Sequence, residues 1–112
     1  MCTKSQLNII TSAVAEKARQ ILGSKLDAVV LYGSYARGDF DSESDIDIMI
    51  RIDCPTNQLE NYEDSFDKLS SRLSLDNDIT VSITLRDKAT FEKFINALPF
   101  YSNIEREGIK IA

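Results

Sequence analysis

The segment Asp78-Ile79-Thr80-Val81-Ser82-Ile83-Thr84-Leu85 alternates polar and apolar residues without a break. Its apolar side chains fall on one face and its polar ones on the other, the period of a half-buried strand. Asp45-Ile46-Asp47-Ile48-Met49-Ile50-Arg51 has the same period, with Ile46, Ile48 and Ile50 pointing one way and Asp45, Asp47 and Met49 the other. Asp27-Ala28-Val29-Val30-Leu31-Tyr32 is short, apolar and partly β-branched, so it reads as a buried strand. Strands of this kind must bury their apolar faces against another layer.

The rest of the chain supplies helices. Leu7, Ile10, Val14, Ala18 and Ile21 recur at steps of three and four and predict a helix over 5–22, stopped at Gly23. Leu59, Tyr62, Phe66, Leu69 and Leu73 predict a second over 58–75, followed by a turn at Asp76-Asn77. Phe91, Phe94, Ile95 and Leu98 mark a third over 88–98. Pro99 suits the first position of a last short helix that Gly108 would end. Ile109 to Ala112 is either a fourth strand or a frayed tail. This order predicts one domain over 1–112 of α+β class, a small mixed α/β sheet covered mainly on one face by helices.

Composition narrows the chemistry. Histidine is absent and there are 2 cysteines, which removes imidazole acid–base catalysis and any zinc site of the usual ligand set within one chain. The net charge is −5 and no basic run occurs, which argues against direct nucleic-acid binding and against docking on anionic membrane. No stretch approaches the ~18 apolar residues of a membrane span. The opening residues carry no secretory pattern, so the expectation is a cytoplasmic protein with reduced thiols at Cys2 and Cys54.

Asp45 and Asp47 lie on one face of one strand, roughly 7 Å apart for a rise of about 3.3 Å per residue. Two carboxylates so spaced can share or flank divalent cations, and two-metal phosphoryl chemistry needs ions about 3.5–4 Å apart. Read alone, the pair is equally a couple of solvated acids. Gly33-Ser34 follows the buried strand at a turn, where glycine lets backbone approach a ligand and a serine hydroxyl can hold phosphate oxygens. Read alone, that is an ordinary turn. The combination of turn, polar loop and Asp-x-Asp strand is the unusual feature.

Gly33-Ser34-Tyr35-Ala36-Arg37-Gly38-Asp39, followed by Ser44-Asp45-Ile46-Asp47-Ile48, resembles the signature of the DNA polymerase beta-like nucleotidyltransferases. It resembles most their small prokaryotic members, the minimal nucleotidyltransferases (MNT), which often pair with HEPN-domain proteins as antitoxin and toxin. Pro99-Phe100-Tyr101-Ser102-Asn103-Ile104 and Arg106-Glu107-Gly108 look like the usual ending of that group, so the likeness runs from about Ala28 to Gly108.

The resemblance implies a nucleotidyltransferase-like fold and a role for each matching position. Gly33 and Ser34 would hold the nucleotide phosphates, and Asp45 and Asp47 would bind two magnesium ions, with manganese the alternative. Arg37 would reach phosphate or brace the loop, or else form a surface ion pair with Asp39 or Asp41. The family also expects a third carboxylate on a neighbouring strand, at the position of Thr80. Asp78, two residues earlier on the same strand face, is the candidate to replace it as metal ligand and as the carboxylate that helps deprotonate the attacking hydroxyl. The implied activity is transfer of AMP from ATP to a hydroxyl, such as a tyrosine of a HEPN partner. An antitoxin acting by binding alone and a nucleotide-sensing module are the competing readings.

Overall fold

The computed structural model describes residues 3–41 and 43–112. Thr3 opens the first helix, α1 (Lys4–Leu22), through a capping box: its hydroxyl oxygen accepts from the Gln6 amide, and the Gln6 side chain accepts from the Thr3 amide. The inward stripe of α1 is Ile10, Val14, Ala18 and Leu22. The strands are β1 (Leu26–Tyr32), β2 (Ile46–Ile52), β3 (Val81–Asp87) and β4 (Ile109–Lys110). They form one sheet in the order β3-β2-β1-β4. β1 runs antiparallel to β2 and to β4, and β2 runs parallel to β3. A parallel pair needs a long crossover, which α3 (Glu60–Asn77) provides.

Register divides the side chains into two faces. Ile46, Ile48, Ile50 and Ile52 pack with Val29 and Leu31 against α1 and α3, in the larger part of the core. Met49, on the opposite face, joins Phe91, Tyr101 and Ile104 from α4 (Lys88–Phe94) and α5 (Pro99–Glu107). The helices therefore cover one face fully and the other only in part. β2 begins at Ile46, so Asp45, expected within the strand, lies one residue before it, at the end of the sheet that also carries Asp47.

The alternation through Leu85 places the strand correctly but misplaces its start. β3 begins at Val81, not at Asp78. α3 overruns the expected turn and includes Asp76 and Asn77, and the Asn77 side-chain amide donates to the Leu73 carbonyl. Asp78 is its cap, at φ 51°, and the only described non-glycine residue with positive φ. α3 then fixes where the strand begins: the Val81 amide donates to Ser74 Oγ at 2.9 Å, and Ser70 Oγ donates to the Val81 carbonyl. A polar–apolar alternation carries no information about helix overrun, so residues 78–80 continue the pattern while lying in a connection. Asp78 thus lies outside the strand, which corrects the geometric ground for enlisting it.

Pro99 and Gly108 bracket α5 as expected, and Ile109-Lys110 is a strand held to Leu31 and Val30. A side chain on Gly108 would collide with the Ile104 carbonyl and with Val30, so glycine lets the chain turn tightly from α5 into β4. No helix among the described residues is long and apolar enough to cross a membrane.

Candidate functional site

β2 sits between two partners, and this decides what surrounds its acids. Asp47 lies across from Tyr32 on β1 and from Ser82 on β3. Ile46 lies across from Val81, and its amide donates to the Thr80 carbonyl at 2.9 Å. Continuing the parallel register by one residue brings Thr80 opposite Asp45. The residues beside the acids, Ser82 on β3 and Thr80 in the connection just before it, both bear hydroxyls.

The turn after β1 brings Gly33 against Asp47. Gly33 has φ 78° and ψ −156°, a conformation that side-chain-bearing residues avoid. A Cβ there would lie 2.5 Å from Asp47 Oδ2, well inside van der Waals contact. From Gly33 the chain enters a single turn, α2 (Ser34–Arg37). The Gly33 carbonyl accepts from the Ala36 and Arg37 amides, both at 3.1 Å. Gly38, at φ 84°, closes the turn by donating to the Ser34 carbonyl at 2.9 Å. Tyr35 is buried and stacks on Phe40 with ring centroids 4.4 Å apart, tying the loop to the core. Further along, Asp41 Oδ1 accepts from the Glu43 amide and Ser44 Oγ accepts from the Asp41 amide, a small turn that delivers the chain to Asp45.

Asp45 is exposed and Asp47 half-buried. Burial pushes the Asp47 carboxyl above its ordinary range, the charge of Asp45 adds to that, and the Arg37 guanidinium partly offsets both. Arg37 itself pairs with Asp39 at 3.1 Å and lies 3.9 Å from Glu107. The surface ion pair is thus realised, while the same guanidinium acts on Asp47 through space.

Gly33, Ser34, Arg37, Asp45 and Asp47 converge at one end of the sheet. Asp78 does not join them as a third acid: no group of three or more potential metal-ligating acids or thiols occurs among the described residues. Sequence reasoning missed a pocket on the other side of Gly33, lined by Tyr32, Arg37, Phe100, Asn103 and Glu107 among others. The available signal was Phe100, an aromatic residue just off the buried Tyr101–Ile104 stripe of α5 and 44% exposed.

A family model for the nucleotidyltransferase domain matches residues 13–111. Two proteins of Methanocaldococcus jannaschii, each named "putative protein adenylyltransferase", are similar in sequence. One is 42% identical over 82 residues, covering 72% of this chain and 80% of the relative. The other is 33% identical over 84 residues, covering 75% and 76%. Among solved structures, a Sulfolobus solfataricus protein described as a "putative nucleotidyltransferase" aligns with TM-score 0.53 at 21% identity, over 96% of this chain and 82% of that one. A toxin-antitoxin structure with AMP-PNP aligns with TM-score 0.50 at 19% identity, over 88% and 69%. At such identities the structural likeness speaks for the fold, and the sequence matches speak for descent. With a family model spanning nearly the whole chain and a 42% identical relative covered over most of its length, the chain belongs to the nucleotidyltransferase domain family.

Proposed function

We propose that this nucleotidyltransferase moves AMP from ATP onto a tyrosine hydroxyl of a HEPN-domain toxin and thereby acts as its antitoxin. The observation that carries the reading is the contact of Gly33 with the Asp47 carboxylate, which puts a phosphate-holding turn and an acid pair at one point. The names of the M. jannaschii relatives support an adenylyl group and a protein acceptor. The toxin-antitoxin structure with AMP-PNP supports an adenine nucleotide and an antitoxin role.

The Gly33 backbone and the Ser34 hydroxyl hold the phosphates of the donor. Asp45 and Asp47 hold magnesium, or manganese, together with phosphate oxygens of the donor. The donor set fits, because magnesium is commonly bound by one or two carboxylates plus substrate phosphates. A divalent cation would also offset the Asp45 repulsion and the cost of charging a half-buried carboxylate, the effects that raise Asp47. An ion held by Asp45 and Asp47 would supply neutralisation of the negative charge that develops on the phosphates. Two ions remain the proposed number, with Asp45 and Asp47 as their protein carboxylates. Asp78, at the end of α3, is assigned no part.

In the reaction the acceptor oxygen attacks the α-phosphorus, forming the new O–P bond. The bond between the α-phosphorus and the bridging oxygen breaks, pyrophosphate leaves, and the acceptor proton passes to solvent. Catalysis is chiefly positioning and charge neutralisation. Thr80 and Ser82 supply no carboxylate base beside Asp45 and Asp47, which favours an acidic acceptor hydroxyl. A phenol, with pKa about 10, loses its proton far more readily than an aliphatic hydroxyl.

Transfer of label from α-³²P-ATP with magnesium, to the product of the neighbouring gene, tests the proposal. Label on a tyrosine of that partner, lost when Asp45 and Asp47 are both changed to Asn, is the expected result. Absence of label beside a stable complex would leave the second reading, an antitoxin that works by binding, which the hydroxyl at Thr80 favours.

A further inference from the structure

Beside the turn that carries Gly33 lies a pocket of about 230 Å³ that the proposed chemistry leaves unused. It opens between β1, α2 and α5, and Tyr32, Gly33, Arg37, Phe100 and Asn103 line it together with Ile104 and Glu107, whose carboxylate lies near the Arg37 and Arg106 guanidinium groups. The rings of Tyr32 and Phe100 meet edge to face, with centroids 5.8 Å apart, so the pocket offers both an aromatic face and an aromatic edge. Tyr32 is braced from below by contact of its hydroxyl with Thr84 at 3.4 Å. Phe100 is 44% exposed, although α5 has buried positions at Tyr101 and Ile104 next to it. Asn103 Oδ1 accepts from Arg106 at 2.8 Å, which orients the side-chain amide. The pocket is smaller than the roughly 300–1,000 Å³ that encloses a whole drug-sized ligand, so it suits one part of a larger molecule.

We infer that this pocket is the base subsite of the donor nucleotide, taking a purine ring stacked on Phe100 and Tyr32 and bonded along its edge by the Asn103 amide. The inference rests on the proposed placement of the phosphates at Gly33-Ser34. Continuity supports it: Gly33 and Arg37 belong both to the pocket wall and to the turn proposed to hold the phosphates, so a group filling the pocket lies beside them. The acceptor is excluded from it by stereochemistry. The attacking and leaving oxygens of phosphoryl transfer stand roughly in line, so the acceptor enters away from the turn that holds the leaving pyrophosphate. The base is then the substituent left to occupy the pocket. Stacking on an aromatic residue tolerates any base but grows with ring area, and an asparagine amide can pair with the N6/N7 edge of adenine.

Calorimetric titration of the whole chain with ATP, UTP and inorganic tripolyphosphate, each with magnesium, tests this without relying on turnover. The wild type should bind ATP more tightly than UTP and tripolyphosphate. Phe100→Ala should weaken ATP about tenfold, within the range of a lost base stack, and leave tripolyphosphate unchanged. Asn103→Ala should reduce the preference for ATP over UTP, again without changing tripolyphosphate. Equal affinities for ATP and tripolyphosphate would overturn the base subsite while leaving the phosphate turn in place. Undiminished ATP binding in both variants would overturn it as well. Failure of tripolyphosphate and ATP alike to bind the wild type would overturn both this inference and the reading it rests on.

Discussion

The Asp47 carboxylate fills the space that a side chain at residue 33 would need, with Oδ2 only 2.5 Å from the position of a Cβ. Two residues fourteen positions apart in the chain therefore share one small volume at the end of the sheet. Antiparallel pairing of β1 with β2 puts Tyr32 across from Asp47, and the turn at Gly33 folds the next residue down onto it. The contact sets the distance between the Gly33-Ser34 turn and the acid pair, and it requires glycine for two reasons, space and positive φ.

Gly33→Ala should therefore damage activity more than fold. The backbone strain is worth about 1–3 kcal/mol, which urea unfolding would show as a modest loss. Displacement of Asp47 or of the turn by about 1 Å should lower nucleotidyl transfer at least ~100-fold. A variant with near-normal transfer would mean that the close packing of residue 33 on Asp47 has no part in the chemistry.

Changing Asp45 and Asp47 to Asn removes the proposed metal ligands while keeping side-chain volume. Transfer from labelled ATP should fall below detection, and the partner complex should survive on size-exclusion chromatography. Protection of cells from the toxin should vanish with transfer. Full protection at equal expression would instead assign the neutralisation to binding.

Thr80→Asp adds a carboxylate beside the start of β2, where the Thr80 carbonyl accepts from the Ile46 amide. Added ligand charge tightens binding of hard cations, so manganese affinity measured by paramagnetic resonance should rise about tenfold. Unchanged affinity would show that residue 80 does not face the metal-binding end of β2.

Asp87 ends β3 and caps α4, with its carboxylate accepting from the Thr90 amide at 2.9 Å. It is 2% exposed. Burial acts to raise its pKa, but bonds from the Thr90 amide and hydroxyl and from Thr56 outweigh that and hold it below the ordinary 3.8. Its folded-state pKa is thus depressed, so its contribution to stability is complete above the unfolded value of about 3.9 and is lost as pH falls through the folded value. Asp87→Ala should cost about 0.5–2 kcal/mol at neutral pH, as loss of a helix cap does. Chemical denaturation at pH 6 and pH 3 should show the gap between variant and wild type narrowing in acid. A gap independent of pH would assign the cost to packing rather than to the carboxylate.

Much of this was legible in one dimension. The isoleucine alternation in β2 predicted which of its side chains reach the core, because a strand has only two faces. Pro99 and Gly108 marked the ends of α5 by their own backbone limits. Gly33-Ser34 and Asp45-x-Asp47 pointed to a common site because their residue types and order resemble a known signature. Asp78 was misread because alternation continues through 78–80, while the hydroxyls of Ser70 and Ser74 on α3 determine that β3 begins at Val81.

The sequence by itself determined the elements, their buried stripes and the face of β2 on which Asp47 stands, since these follow from the local periods of helix and strand. Tertiary structure decided what stands beside them: Gly33 against Asp47, Thr80 across from Asp45, Asp78 out of the strand, and Phe100 beside Tyr32. Each depends on register or on contacts between distant segments. The period of a single segment cannot encode which partner it will meet, because that is set by the packing of the whole chain.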